Sequence, residues 1–267
     1  MYPVLFRISG IPVETYYVLW FSALSVALAW MIRRLAIYEI DDDQGRRVIS
    51  WSFMGMLLGA RAFEYIWNFS TYWNDPSLIL DLNRGGLAEV GALSGAVLTA
   101  LVLCRCTGVS FNHLCEAGSP PALLAMTLGR WGCFFAGCCV GIQSASPLAL
   151  HFPYDALSVT RHPTQIYYSL SAGAILLSLL AIERGILKER EILKKGKLWT
   201  HALITPLGLL LYSIMRLSID SLRLETGSGG LSFSHGALIA AMPLEVLWLA
   251  TSWRAFRKTR EVQEQQL

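Results

Sequence analysis

The chain has 267 residues, of which 54% are hydrophobic and only 15% are charged. Soluble domains carry roughly 25% charged residues, so this composition argues against a water-soluble protein and favours a single integral membrane domain over residues 1–267. The net charge of +3 is small and the basic residues fall in short loops, which argues against nucleic acid as a partner.

Seven apolar stretches approach the roughly 20 residues that a helix needs to cross a membrane. They run Tyr16–Arg33, Val48–Phe69, Leu87–Cys104, Pro121–Gly141, Thr164–Ile182, Leu198–Ile219 and Leu231–Trp253. The sequence therefore predicts an all-α polytopic membrane protein with about seven transmembrane helices. Met1–Thr15 lacks the features of a cleaved signal peptide and is interpreted as a short polar lead-in to the first helix.

The distribution of lysine and arginine predicts the orientation in the membrane. Fifteen of these residues flank the spans on one side, in the first, third and fifth loops and the C-terminal tail, and four lie on the other side. Because positively charged loops stay in the cytoplasm, we expect the N-terminus outside and the C-terminus inside.

Three arginines fall inside predicted spans, where each costs about 2.5–3.5 kcal/mol at the membrane centre. Arg61 is three residues from Glu64 and can either pair with it or face a ligand. Arg216 can pair with Asp220, four residues on, and Arg223 continues the same helical face. One aspartate neutralises only one of these two arginines, so the surplus positive charge suits an anion such as a lipid phosphate.

The third arginine inside a predicted span, Arg130, has no acidic residue within a helical turn on either side. It lies in the stretch Gly129–Gly141, which contains four glycines. Glycines in a membrane span often serve only helix packing. Their combination with an arginine that has no local partner favours a ligand site.

The stretch Arg161–Tyr168 (Arg-His-Pro-Thr-Gln-Ile-Tyr-Tyr) opens the fifth predicted span. Pro163 suits a first helical turn, so Gln165 and Tyr167 should project from the start of that helix. His162 could act as a base, act as a hydrogen-bond donor, or be an ordinary loop residue.

Three of the six cysteines, Cys133, Cys138 and Cys139, lie close together in sequence after Arg130. They are interpreted first as small packing residues or as a local disulfide. A thiol nucleophile beside Arg130 is an alternative, because a positive charge favours the thiolate. A metal site with His162 is disfavoured because no C-x-x-C pair is present, so we expect no metal and no cofactor.

Taken in order, these blocks resemble the prolipoprotein diacylglyceryl transferase family. The resemblance rests on the glycine-arginine stretch Gly129–Gly141, on the Arg-His-Pro-Ser/Thr-Gln-hydrophobic-Tyr motif at Arg161–Tyr167, and on a late pattern at Tyr212, Arg216, Asp220 and Arg223. Smaller matches are Gly59–Arg61, Tyr16-Tyr17 and Gly85-Gly86.

The resemblance implies transfer of a diacylglyceryl group from phosphatidylglycerol, an anionic phospholipid, to the lipobox cysteine thiol of a secreted prolipoprotein. It also implies a multi-pass protein of the bacterial inner membrane that acts at its outer face. The catalytic residues it implies are Arg130, Arg216, Tyr16 and His162. The substrate-binding residues it implies are Arg61, Gly132, Cys133, Gly137, Cys138, Gln165, Tyr167, Asp220 and Arg223.

Several polar residues of the family pattern are replaced in this chain. The resemblance implies polar residues of other types at the positions that this chain fills with Val90, Cys133, Ala136, Cys138 and Tyr168, and around His235. Glu89 and His235 are substitute candidates for a base. Two alternatives therefore stay open: a divergent lipid-group transferase with another acceptor or a cysteine-based mechanism, and a non-catalytic phospholipid-binding membrane protein.

Overall fold

The computed structural model describes residues 2–75, 77, 89–153, 155–156, 158–192, 202–223 and 233–264. Within these ranges the chain forms an antiparallel hairpin and eight α-helices. The strands are β1 (Val4–Ile8) and β2 (Ile11–Glu14). The helices are α1 (Thr15–Leu35), α2 (Asp42–Trp67), α3 (Phe69–Asn74), α4 (Glu89–Thr107), α5 (Phe111–Ala136), α6 (Thr164–Ile192), α7 (Ile204–Asp220) and α8 (Phe233–Glu264), with a short 3-10 turn at Ala36–Tyr38 after α1.

Each of the seven predicted spans overlaps one of the long helices, although the first residues of three of them (87–88, 198–201 and 231–232) lie outside the described residues. Four helical stretches in the described chain are long and apolar enough to cross a membrane. They are Thr15–Tyr38, Val90–Thr107, Thr164–Lys188 and His235–Glu261. The protein is therefore a helical membrane protein.

Large apolar side chains point outward from two of these helices. Leu170 and Leu177 on α6, and Leu244 and Leu247 on α8, are 60–69% exposed. So much exposed leucine would be unfavourable in water. In a bilayer the lipid chains cover these faces, and the outward leucines are what a membrane helix presents to lipid.

The N-terminal residues, expected to be a polar lead-in, form the hairpin instead. Ser9 and Gly10 have φ angles of 48° and 85°, both positive as a tight two-residue hairpin turn requires. Thr15 joins the hairpin to α1, because its hydroxyl donates to the carbonyl of Tyr2 (2.5 Å) and its N–H donates to that of Pro3 (2.9 Å). The all-α prediction is correct for the helices and missed these two strands.

The helix that carries Arg130 ends earlier than the predicted span Pro121–Gly141. α5 ends at Ala136, and Gly137 follows with a φ of 71°. The N–H of Cys138 then donates to the carbonyl of Cys133 at 3.1 Å. This left-handed glycine terminates the helix, so residues 137–141 lie in a loop.

The chain divides into two compact units, Met1–Arg34 with Cys115–Leu267, and Leu35–Leu114. The larger unit has a core built by α5, α6 and α7, which bury Leu123, Tyr168, Ala172, Leu176, Leu179, Ile204, Met215 and Ile219. The single-domain interpretation stays a prediction.

A buried ion pair links α1 to α6 within the larger unit. The guanidinium of Arg34 donates to both carboxylate oxygens of Glu183, at 2.9 and 2.5 Å, and its Nε donates to the carbonyl of Ala117 at 3.0 Å. Arg34 was counted as a loop charge in the orientation argument, and the structure corrects this. Its partner is 149 residues away in sequence, beyond the reach of any local pattern.

The smaller unit is built on close packing between α2 and α4. Gly55 and Gly59 on α2 face Gly91 and Gly95 on α4, with three residues between the glycines on each helix. A methyl group at any of the four would collide with a backbone atom of the facing helix. Gly59, which the sequence matches to a family motif, therefore packs two helices together.

Candidate active site

Asp220, the last residue of α7, lies at the centre of a buried polar cluster. Its carboxylate accepts a hydrogen bond from the hydroxyl of Tyr168. The carboxylate also lies 3.3 Å from Nε of Arg216 and 3.5 Å from Nη1 of Arg223. Nε2 of His235 is 3.7 Å from the same group. The predicted pairing of Arg216 with Asp220 is confirmed.

The regular spacing of polar residues on α7 builds one side of this cluster. Tyr212, Arg216 and Asp220 are four residues apart and so lie on one face of the helix. The hydroxyl of Tyr212 lies 3.3 Å from Nη1 of Arg216. The helix ends at Asp220, and the N–H of Arg223 donates back to the carbonyl of Asp220 at 3.0 Å. This turn holds Arg223 beside the carboxylate.

Arg130 reaches the cluster from α5 by stacking on Tyr168. Its guanidinium carbon lies 4.3 Å from the centre of the tyrosine ring, a distance at which the ring face attracts a cation. Arg130 is 8% exposed, and its Nε has no hydrogen-bond partner within the described residues. Since Tyr168 also donates to Asp220, one tyrosine connects Arg130 to the Asp220 cluster.

The glycines beside Arg130 pack α5 against α1. A methyl group on Gly129 would overlap the indole of Trp20 at 2.6 Å, and one on Gly132 would lie 3.1 Å from the carbonyl oxygen of Tyr16. Helix packing thus accounts for these two glycines, while a role for Gly132 in substrate binding stays a prediction. The close approach also places Tyr16 beside the end of α5.

The loop after α5 is held by the first residues of α6. Thr164 donates through Oγ1 to the carbonyl of Cys139 at 2.6 Å, and Gln165 donates through Nε2 to that of Cys138 at 2.5 Å. Both side chains are buried, and Oε1 of Gln165 has no partner within the described residues. A backbone bridge between Gly141 and Arg223 joins the same loop to the end of α7.

Three thiols converge in this loop. The sulfur atoms of Cys133, Cys138 and Cys139 all lie within 4.8 Å of one another, and none is in a disulfide. Tyr16 is close enough to all three for electrostatic interaction. Three thiols are a donor set that soft cations prefer. The sequence prediction that no metal is bound is not tested by this geometry.

His162 and Tyr167 form a separate pair near the start of α6. Nδ1 of His162 lies 3.1 Å from the tyrosine hydroxyl, within hydrogen-bond distance. The histidine backbone is also engaged, because its carbonyl accepts from Gly141 and its N–H donates to Ile142. His162 is thus an ordered part of the loop. Whether it acts as a base stays open.

An ion pair stabilises the segment between Cys139 and the start of α6. Nε of Arg161 donates to both oxygens of Asp155, at 3.0 and 2.8 Å. The hydrogen bond to Arg161 is the main reason why the pKa of Asp155 is lower than its ordinary value, and the same bond raises the pKa of Arg161. Arg161 also exchanges backbone hydrogen bonds with Leu150. Its role here is to hold the loop together.

Arg61 lies in the smaller unit, where it stacks over Tyr72 with 5.6 Å between the guanidinium carbon and the ring centre. Glu64 accepts a hydrogen bond from Asn68 at 2.7 Å, and no contact between Glu64 and Arg61 is found among the described residues. Of the two alternatives for Arg61, pairing with Glu64 is therefore not supported by a described contact. The alternative, in which Arg61 faces a ligand, stays a prediction.

Sequence reasoning missed Tyr168 as a site residue. Two signals pointed to it: its position on the first turns of a helix whose neighbouring residues were named as site residues, and the resemblance, which implies another polar residue at this position. His235 was noted as a substitute base, and the structure places it next to Asp220. The side chain of Glu89 and the pair Gly85-Gly86 lie outside the described residues.

The charges of the cluster define what it can bind. Three arginines, Arg130, Arg216 and Arg223, meet one carboxylate, that of Asp220, through the described contacts. Among the described residues, three guanidinium groups therefore lie around one carboxylate in a largely buried setting. Guanidinium groups donate hydrogen bonds in pairs to phosphate oxygens. This cluster is suited to a phosphate-bearing ligand.

Comparison with known proteins agrees with this chemistry. A family model for prolipoprotein diacylglyceryl transferase matches residues 3–254. A phosphatidylglycerol–prolipoprotein diacylglyceryl transferase of Clostridium novyi is 32% identical over 232 residues, which cover 85% of this chain and 86% of that protein. Proteins with the same description from Fervidobacterium nodosum and Finegoldia magna are 28% and 29% identical, and they cover 94% and 84% of this chain and 84% of each relative. The chain therefore belongs to the prolipoprotein diacylglyceryl transferase family.

Proposed function

We propose that this protein transfers the diacylglyceryl group of phosphatidylglycerol to the cysteine thiol of a prolipoprotein lipobox. The observation that carries the proposal is the meeting of Arg130, Arg216 and Arg223 around Tyr168 and Asp220. Family membership and the description of the relatives support the same reaction.

In this reaction the acceptor thiol first loses its proton to solvent, and the thiolate sulfur attacks the glycerol carbon that carries the phosphate ester. A carbon–sulfur bond forms, the carbon–oxygen bond to phosphate breaks, and glycerol phosphate leaves with a second negative charge. Donors that face this developing charge stabilise the transition state. Arg130 and Arg216 take this role in the proposal, and Arg223 assists them.

Other residues of the cluster position these arginines. Asp220 holds Arg216 and Arg223, and Tyr168 carries Arg130 on its ring face while donating to Asp220. Tyr16, beside the loop thiols, contributes a polar contact to the lipid. His162, Gln165 and Tyr167 line the approach of the acceptor. A role in substrate binding for Arg61, which lies in the smaller unit, stays a prediction.

The proposal includes a defined placement in the cell. The protein crosses the bacterial inner membrane seven times, with its N-terminus outside and its C-terminus in the cytoplasm. The excess of lysine and arginine on the predicted cytoplasmic side supports this orientation even when Arg34 is removed from the count. The reaction then takes place at the outer face, where secreted prolipoproteins emerge.

Reconstitution tests the proposal directly. The purified protein is placed in liposomes containing phosphatidylglycerol and is given a peptide with a lipobox cysteine. Mass spectrometry is expected to find a diacylglyceryl adduct on the peptide, and none on a peptide with serine in place of the cysteine. Liposomes of phosphatidylcholine alone provide the lipid control. A folded protein that yields no adduct with phosphatidylglycerol would contradict the proposal and favour another acceptor or simple lipid binding.

A further inference from the structure

The three loop thiols have the spacing of a metal-binding group. Cys133 lies in the last turn of α5, and Cys138 and Cys139 follow in the loop, with all three sulfur atoms within 4.8 Å of one another. Zinc–sulfur bonds of about 2.3 Å in a tetrahedral site place the sulfur atoms about 3.8 Å apart. Binding one ion would therefore require movements of only about 1 Å.

The backbone is folded so that two adjacent cysteines face the same point. Gly137 and Cys139 both have positive φ angles, of 71° and 58°. This conformation is unfavourable for a residue other than glycine, and such residues cluster at functional sites. The buried side chains of Thr164 and Gln165 fix it by donating to the carbonyls of Cys139 and Cys138. The loop is thus built to bring these thiols together.

The surroundings suit a negatively charged metal–thiolate group. Three thiolates around a divalent cation carry one net negative charge. Arg130 lies within electrostatic range of Cys133, and Arg223 lies within electrostatic range of Cys139. These cations would help to balance the charge of the group.

One side of the thiol group remains accessible. Cys133 is buried, Cys139 is half-buried and Cys138 is exposed. Within the described residues no histidine, carboxylate or further cysteine joins the three thiols as a fourth ligand. His162, considered as a ligand on sequence grounds, is instead within hydrogen-bond distance of Tyr167. Three protein ligands with an open fourth position are typical of catalytic rather than structural zinc sites.

We infer that Cys133, Cys138 and Cys139 bind one zinc-like divalent cation whose fourth ligand is the thiol of the acceptor cysteine. The inference rests on the proposed function and adds to it the means of activating the acceptor. On coordination the acceptor thiol releases its proton to solvent, because a metal-bound thiol is deprotonated. Its sulfur then donates an electron pair to the glycerol carbon as the carbon–oxygen bond breaks, and that bond's electrons leave with glycerol phosphate beside the arginines.

Cobalt binding tests the site without any lipid. Co²⁺ is titrated into the metal-free, reduced full-length protein under anaerobic conditions, and the thiolate-to-cobalt charge-transfer absorption is followed. One equivalent is expected to bind and to be displaced by Zn²⁺. Cys133→Ser, Cys138→Ser and Cys139→Ser should each weaken binding at least about tenfold, whereas the exposed Cys106→Ser should bind as the parent does. Absence of the band, or a disulfide between two of the three cysteines in the protein as isolated, would overturn the inference.

Coordination of the acceptor thiol as the fourth ligand is tested by the ligand-field spectrum of bound cobalt. The lipobox peptide is added to the cobalt-loaded protein in the absence of phospholipid, and is expected to change the ligand-field spectrum. A peptide with serine in place of cysteine should leave the spectrum unchanged. An equal response to both peptides would contradict acceptor coordination even if the metal binds.

The adduct assay then separates this inference from the proposed function. Metal-dependent adduct formation that is lost in Cys133→Ser would support both. An adduct formed at the full rate by metal-free protein would overturn the metal inference and leave the transferase intact. Metal and peptide binding without an adduct from phosphatidylglycerol would support the site and contradict the proposed transfer.

Discussion

Asp220 holds together charges that would otherwise repel one another. Arg216, Arg223 and His235 all approach its carboxylate, and Tyr168 donates to it. We expect Asp220→Asn to lower the free energy of unfolding by about 3 kcal/mol, because removing one partner of a buried ion pair is strongly destabilising. Chemical denaturation of the protein in detergent micelles measures this loss.

Asp155→Asn is the matched control for that change. Asp155 also pairs with an arginine, Arg161, but its side chain is 16% exposed against 3% for Asp220, so solvent screens this pair more. Its substitution should destabilise the protein less than Asp220→Asn. Equal losses for the two variants would mean that Asp220 is not the centre of a buried cluster.

The Asp155–Arg161 pair also predicts a dependence on pH. The pKa of Asp155 is below its ordinary value of 3.8 because of Arg161. A carboxyl group whose pKa is lowered by folding contributes stability above the ordinary value, and this contribution is lost as the pH falls through the lowered value. Hydrogen exchange at the paired amides of Leu150 and Arg161, corrected for intrinsic rates, should therefore show protection that decreases in acid.

Asp155→Asn supplies the comparison for the exchange experiment. Without an ionisable group at this position, the protection should be lower and should no longer change across the same acidic range. Protection in the parent that is independent of pH would contradict a contribution of the ion pair to loop stability.

At the residue scale, the sequence predicted local partners and missed distant ones. Arg216 and Asp220 are four residues apart on one helix, so their pairing followed from spacing alone. Tyr168 is 52 residues from Asp220, and only the packing of α6 against α7 brings them together. Spacing did not decide every local pair, because Glu64 has both Arg61 and Asn68 within a helical turn and accepts from Asn68.

At the scale of elements, the packing of α2 against α4 depends on glycines. A methyl group at Gly59 would collide with the carbonyl oxygen of Gly91, so the two helices would have to separate. We expect Gly59→Ala to destabilise the protein by about 1–3 kcal/mol, the usual cost of overpacking. Thermal unfolding of the purified protein measures the change.

Gly185→Ala makes the same substitution in α6, where nothing lies within 4 Å of an added methyl group. Because alanine favours a helix over glycine by roughly 1 kcal/mol, this variant should be neutral or slightly stabilised. If both variants unfold at the same temperature, the proposed close contact between α2 and α4 is wrong.

The N-terminal hairpin and the end of α5 both have sequence patterns that indicate the observed structure. Alternating apolar residues around Ser9-Gly10 are typical of a hairpin with a two-residue turn. Gly137 is a typical helix stop, and the helix does end there, whereas the span was predicted to continue to Gly141. Mean hydropathy alone favoured the longer span, because the residues after Gly137 are also mostly apolar.

At the scale of the whole molecule, the proposed orientation predicts which cysteines reach reagents from outside. Variants with Cys138 as the only cysteine should react with a membrane-impermeant maleimide in intact spheroplasts. Cysteine-free protein with Arg257→Cys, near the C-terminal end of α8, should react only after permeabilisation. The reverse pattern would contradict the orientation inferred from the lysine and arginine count.

The sequence predicted the helical membrane class because composition and long apolar stretches are properties of the whole chain. It could not predict the ion pair between Arg34 and Glu183, which depends on how α1 meets α6. Nor could it show that three cysteines converge, because Cys139 reaches its neighbours through an unusual backbone angle. The ion pair and the convergence of the cysteines depend on how distant segments pack, which the spacing of residues along the chain does not indicate.

In the proposed reaction, Arg130, Arg216 and Arg223 support the departure of the phosphate during transfer to a thiol. The decisive measurement follows both products, the peptide thioether and glycerol phosphate, in phosphatidylglycerol liposomes with the parent protein and with Arg130→Ala. We expect the parent to form the two products in equal amounts and folded Arg130→Ala to form them at least about a hundredfold more slowly. Equal rates for the parent and Arg130→Ala, or thioether without glycerol phosphate, would show that Arg130 does not have this role.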